Sequence, residues 1–254
     1  MKVGDVEFPK LSKAPIVLAI LEIKFIAGEG VTNDHLQSLR EIFQPDFPTH
    51  QRINNLEIEF KPEFEKTPVS VKSNFLSGHS FISEDKKIDF FVSVDTFTFK
   101  QHGEYDHWGK FKEKAFFIWE KCLHIVKPKK TERLSLRYIN SIELSIKLSK
   151  DVPQKQFLNT FIANNGSVQK TPISQYSIRY THPLNENKIM VNFAQELRQG
   201  VSGKFPFIID IDVLWLDTQE FNSNLIANKF DEIRKIKNMY FFDNLTESTY
   251  NQIK

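Results

Sequence analysis

The sequence predicts an α+β protein built of two pseudo-repeated βαβββα halves, mostly antiparallel in its sheet, with helices packed on one face. Three observations carry that prediction. Several runs alternate apolar and polar residues with period two. Other runs place apolar residues three and four apart, as in Trp108, Phe111, Ala115, Ile118, Trp119, Cys122 and Val126. The order of these runs is the same before and after residue 130.

The first strand is read over Ala14 to Ile26, with Val17, Ala19, Leu21, Ile23 and Phe25 on one face. Its other face begins apolar at Ile16, Leu18 and Ile20 and ends charged at Glu22 and Lys24, which suits a strand open to water at one end. Gly28 and Gly30 break it. A short helix follows over Asn33 to Phe43, with Thr32 or Asn33 as cap and Leu36, Leu39, Ile42 and Phe43 as its stripe. NNLEIEF (Asn54–Phe60) reads as a short strand. VSVKSNFLSGHSFIS and KIDFFVSVDTFTFKQ read as two strands joined around EDKK, the second with Phe91, Ser93, Asp95, Phe97 and Phe99 on one face. The amphipathic helix over Asp106 to Lys127 ends at Pro128.

In the second half a strand runs from Arg133 to Leu148. A helix opens near Val152 and Pro153, buries Phe157, Leu158, Phe161 and Ile162, and closes at Asn164 to Gly166. ISQYSIRY, KIMVNFAQEL and FPFIIDIDVLWL read as strands, with THPLNEN as a connection. A last helix is expected from Asp217, with Glu220 completing a capping box and a second helical piece through YFFDNL. One domain over residues 1–254 is expected, in halves 1–130 and 131–254. The junction VKPKKTER lacks the Gly and Ser of a free linker.

Composition narrows function more than it names it. The 34 basic and 32 acidic residues leave a net charge of +2, so there is no global drive toward nucleic acid or anionic lipid. KPKKTER (Lys127–Arg133) is the densest basic run and reads as a solvated connector. No stretch approaches the roughly 18 apolar residues of a membrane span, and no signal peptide is read at the start, so a cytoplasmic protein is expected. The single cysteine, Cys122, falls on the helical apolar stripe and reads as a buried thiol. With 24 Phe the core is expected to be aromatic. No Walker loop, dinucleotide fingerprint or Gly-x-Ser-x-Gly elbow occurs, and no cofactor is expected.

The stretches LSKAPIVLAILEIKF, FISEDKKIDFFVSVDTFTF with YDHWGKF, LSLRYINSIEL and IIDIDV together resemble an uncharacterised family of prokaryotic proteins scattered sporadically among bacteria and archaea. The LRYIN core (Leu136–Asn140) is the most specific piece. The resemblance implies a cytosolic prokaryotic protein, brings no activity with it, and matches the distribution of mobile or defence-linked genes. The repeated strand–helix–strand–strand order is also similar to the module found twice in GyrI-like small-molecule-binding domains.

Asn140 interrupts the apolar face formed by Leu134, Leu136, Tyr138, Ile142 and Leu144. A buried amide must be hydrogen-bonded, either to a ligand or to backbone at a β-bulge. Arg137, Tyr138, Asn140 and Trp108 are therefore the candidate ligand-binding residues. Asp210 and Asp212 share one strand face and are the candidate metal ligands, with Asp95 a distant third. The seven histidines are dispersed; His102 and His107 flank Tyr105 without zinc spacing. No residue is assigned as catalytic. The reading is a non-enzymatic binding or interaction protein, antitoxin-like within a mobile or defence locus, its partner a protein or a small molecule. The alternatives are small-molecule sensing between the halves and a metal-dependent hydrolase at Asp210 and Asp212. The sequence fixes neither the ligand nor the oligomeric state.

Overall fold

The computed structural model describes residues 8–9, 11–12, 14–60, 69–145, 158–160, 175–184, 188–198 and 204–254, with backbone alone at 55–60, 69–76, 144–145 and 204–205. Its ten described strands form one sheet in which all described pairings are antiparallel. The strands are β1 (Ile16–Ile26), β2 (Thr49–Phe60), β3 (Val69–Ile82), β4 (Ile88–Val92), β5 (Thr96–His102), β6 (Lys130–Ser145), β7 (Tyr176–Leu184), β8 (Ile189–Leu197), β9 (Lys204–Trp215) and β10 (Gln219–Glu220). They lie in the order β2-β3-β4-β5-β1-β6-β9-β8-β7, with β10 added beside β6. At the centre, β1 pairs with β6 in a register that sets Ala19 against Tyr138, Leu21 against Leu136 and Ile23 against Leu134.

Helices cover one face. A 3-10 turn (Asn33–Ser38) runs into α1 (Leu39–Phe43), whose Phe43 ring meets Phe81 and Phe90 of β3 and β4. Helix α2 (Trp108–Val126) lies over β1 and β5, where Trp119 touches Phe25 and Phe97 and Phe111 touches Phe99. Helix α3 (Ser223–Asn244) lies over β6 and β9, and α4 (Glu247–Ile253) follows it. The sheet presents Ala19, Leu21, Ile23, Phe25, Leu134, Leu136, Ile209, Ile211 and Val213 to these helices, all fully buried. Each large buried side chain contributes roughly 1.5–3 kcal/mol.

Several expectations are corrected. KIDFFVSVDTFTFKQ is two strands, β4 and β5, folded at Ser93–Asp95. Ser93 Oγ donates to Asp95 Oδ1 (2.6 Å) and accepts from the Thr96 amide (3.0 Å), so short polar side chains close the turn. The turn resets the alternation: Phe90, Val92, Phe97 and Phe99 are all buried under the helices, not divided between two faces. The first half therefore has four strands after its first helix. The β1–β6 register slips at Val17, which is 45% exposed rather than facing the core. The last helix begins at Ser223, because Asn222 caps it (Leu225 amide to Oδ1, 3.0 Å) while Gln219 and Glu220 pair with β6. Asp217 instead binds Lys188 and Gln219. The expected YFFDNL piece is the end of α3, and β7 continues through Leu184 into the expected THPLNEN connection. The helix expected from Val152 lies outside the described residues except Leu158–Thr160, where Leu158 bridges to Leu245.

Candidate functional site

The slip at Val17 has a local result. It turns Ile16 toward Asn140, its register partner, at the edge of a cavity of about 250 Å³ on the helix side. The cavity is closed by the approach to α2 (Tyr105–Trp108), by Asn140 of β6, by Arg234, Lys237, Asn238 and Phe241 of α3, and by Phe8, Pro9 and Leu11. Phe8 stacks on Phe242 at 5.4 Å. His107 caps α2 by accepting from the Lys110 amide, which fixes Trp108 as the first helical residue. Trp108 Nε1 donates to Asp231 on α3 (2.7 Å), where Lys112 also binds (2.7 Å), so α2 and α3 are pinned together beside the opening.

The polar groups at this cavity are only partly used. Asn140 is 3% exposed. Its Nδ2 donates to the Ile209 carbonyl (3.1 Å) and at the limit to that of Tyr138 (3.5 Å); among the described residues no donor meets its Oδ1. Asn238, 7% exposed, makes no side-chain hydrogen bond among the described residues. Lys237, also 7% exposed, sets its ammonium 4.0 Å from the centre of the Tyr138 ring, and no carboxylate pairs with it among the described residues. Burial, then the neighbouring Arg234 charge, lowers the Lys237 ammonium to a pKa of about 7. The Tyr105 and Tyr138 hydroxyls are bonded to each other at 2.9 Å, and burial raises both phenols, so both stay protonated.

Of the four ligand-binding candidates, Asn140 and Trp108 line this cavity, and Tyr138 borders it through Tyr105 and Lys237. Arg137 points to the opposite, helix-free face. There it forks onto Asp210 (Nε to Oδ1 2.8 Å, Nη2 to Oδ2 2.6 Å), and this bond raises the already high pKa of the guanidinium. Asp212 lies beside it, accepting from Ser135 Oγ at 2.6 Å, and its pKa is raised by burial. Arg137 and Asp212 lie between two shallow open-face cavities of about 550 and 480 Å³.

Both oxygens of Asp210 thus face a guanidinium. Among the described residues no group of three His, Cys, Asp or Glu side chains is arranged to hold a metal ion. Asp95 serves its own turn. His102 pairs with Asp89, whereas His107 caps α2. Cys122 is buried, and burial raises its thiol pKa.

Sequence reasoning missed Lys237, Arg234, Asn238 and Tyr105. A signal existed for Lys237: it sits in the stripe Ile226, Phe230, Ile233, Lys237, Phe241, a cation at core spacing.

No protein-family model matches this chain, and no curated protein matches it.

Proposed function

We propose that this protein binds a small molecule in the cavity beside Asn140, and acts by binding rather than by catalysis. The observation that carries the reading is the half-used Asn140 amide. One end is bonded to strand β9 and the other meets no donor among the described residues, at a cavity edge. A hydrogen bond from a ligand donor to that oxygen would contribute roughly 0.5–1.5 kcal/mol. The volume, about 250 Å³, is just under the roughly 300–1,000 Å³ of drug-sized sites, so the ligand is small. His107 is engaged as a helix cap and the two tyrosines are held protonated, so none of these three is poised as a base.

The strand order supports reading the chain as two versions of one unit. In each half the first strand pairs with the last long strand before the long helix, β1 with β5 and β6 with β9 (the two-residue β10 lying between β9 and α3), and the two first strands meet at the centre. The cavity draws on both halves: Ile16 and Tyr105–Trp108 from one, Asn140 and α3 from the other.

The test is a thermal-shift screen of metabolites on wild type and on Asn140→Ala. A compound that stabilises wild type and loses its effect on a still-folded variant supports the reading. A screen in which every stabilising compound acts equally on both proteins overturns it.

A further inference from the structure

The two cations on α3 say what kind of molecule the cavity takes. Arg234 and Lys237 are one turn apart and both line it. Arg234 lies over the Trp108 ring at 5.8 Å, and Lys237 over Tyr138 at 4.0 Å. Among the described residues aromatic faces are the only partners of either charge, and neither meets a carboxylate. Asp106, the one carboxylate among the described residues that line the cavity, is bonded to Lys110 at 2.6 Å. Lys237 is buried and Arg234 partly so, and an anion placed between them would offset the cost of charging Lys237 there. Beside them the lining turns apolar at Ile16, Phe241 and Phe242.

Resting on the proposed binding function, we propose that the ligand is a small carboxylic acid with an apolar body. Its carboxylate lies against Lys237 and Arg234, its apolar part against Ile16 and Phe241, and the donorless Oδ1 of Asn140 accepts from a hydroxyl or amino group on that body. The other titratable groups facing Lys237 are Tyr105 and Tyr138, both kept neutral by burial, with Asp106 and His107 at the cavity edge. Acid binding therefore tightens as the pH falls through the Lys237 titration, whose midpoint without ligand is about 7.

The experiment titrates the full chain with acetate, isovalerate, benzoate and phenylacetate, with phenylacetamide as neutral isostere and inorganic phosphate as the alternative anion. Tryptophan fluorescence and the NMR signal of the Lys237 side chain, identified by its loss in Lys237→Met, report binding. The expected result is that one of the aryl or branched acids binds, raises the Lys237 pKa and outbinds phenylacetamide. Lys237→Met and Arg234→Gln are each expected to weaken the acid by roughly ten- to a hundred-fold, as for loss of a charge-assisted hydrogen bond, and to leave the amide unchanged. Equal binding of acid and amide overturns the anion assignment and leaves the binding function standing. A response to phosphate alone overturns the carboxylate. Silence from every probe up to the highest soluble concentration overturns the carboxylic-acid assignment, while the binding function stands or falls by the metabolite screen.

Discussion

The Lys237 ammonium sits 4.0 Å above the Tyr138 ring, under a sheet and away from any carboxylate of the described residues. A cation–π contact offsets only part of the cost of burying it. Lys237→Met keeps the length of the side chain and removes the charge. The folded pKa is about 7 and that of an unfolded lysine ~10.4. Between these values the unfolded chain binds the extra proton, so wild-type stability rises with pH across that window, and the penalty is complete below it. The substitution is therefore expected to add about 1–4 kcal/mol at acidic pH and almost nothing near pH ~10. Urea unfolding across this range measures it; a variant no more stable than wild type at low pH refutes the account.

A second pH effect lies at the other end of the sheet. His50 Nε2 and His79 Nδ1 are 2.9 Å apart, and His79 Nε2 donates to the Asn33 carbonyl at 2.8 Å. Both pKa values are lowered, chiefly by burial. The folded pair thus takes up protons less readily than the unfolded chain below the ordinary value of 6.5, and stability falls as the pH drops beneath it. The expected slope is about 1 kcal/mol per pH unit, shallower in His50→Gln, which retains a donor for His79. Equal slopes in the two proteins would count against the pair.

Gly78 of β3 leaves room for a neighbour. A methyl group there would lie 2.5 Å from the Phe91 ring and 2.6 Å from the Val92 carbonyl. Gly78→Ala is expected to cost about 1–3 kcal/mol in chemical denaturation, and combining it with Phe91→Leu should recover part of the loss. No recovery in the double variant would assign the cost to the backbone.

On the open face, the Arg137 side chain is 42% exposed beside an Asp210 side chain that is 20% exposed. Solvent screening keeps such a pair to about 1 kcal/mol or less. The Asp210→Asn, Asp212→Asn double variant is expected to fold with a melting point close to wild type and to retain ligand binding. Metal-dependent activity lost in that variant alone would revive the hydrolase reading.

How far the sequence announced this architecture depended on whether the signal was local. Strands such as β8 and β9, and helix α2, declared themselves because every residue kept one period. The β4–β5 hairpin was hidden because Ser93–Val94–Asp95–Thr96 preserves polar alternation while reversing the chain; only the Ser93 and Asp95 side-chain bonds give it away. Asn140 stood out as a polar residue on an apolar face, and Lys237 does so equally at helical spacing. That the two share a cavity was not legible. It depends on how α3 crosses β6 and on the slip at Val17, and both are set by pairings between distant residues.

The central β1–β6 pair carries a consequence for how the chain is made. Strand β1 leaves the ribosome before both strands that flank it, residues 96–102 and 130–140. Until those have emerged, Ala19, Leu21, Ile23 and Phe25 form an apolar strand with two bare edges. Such a segment is a natural client for a holding chaperone, and a nascent chain stalled before residue 130 should aggregate where one stalled beyond β6 does not.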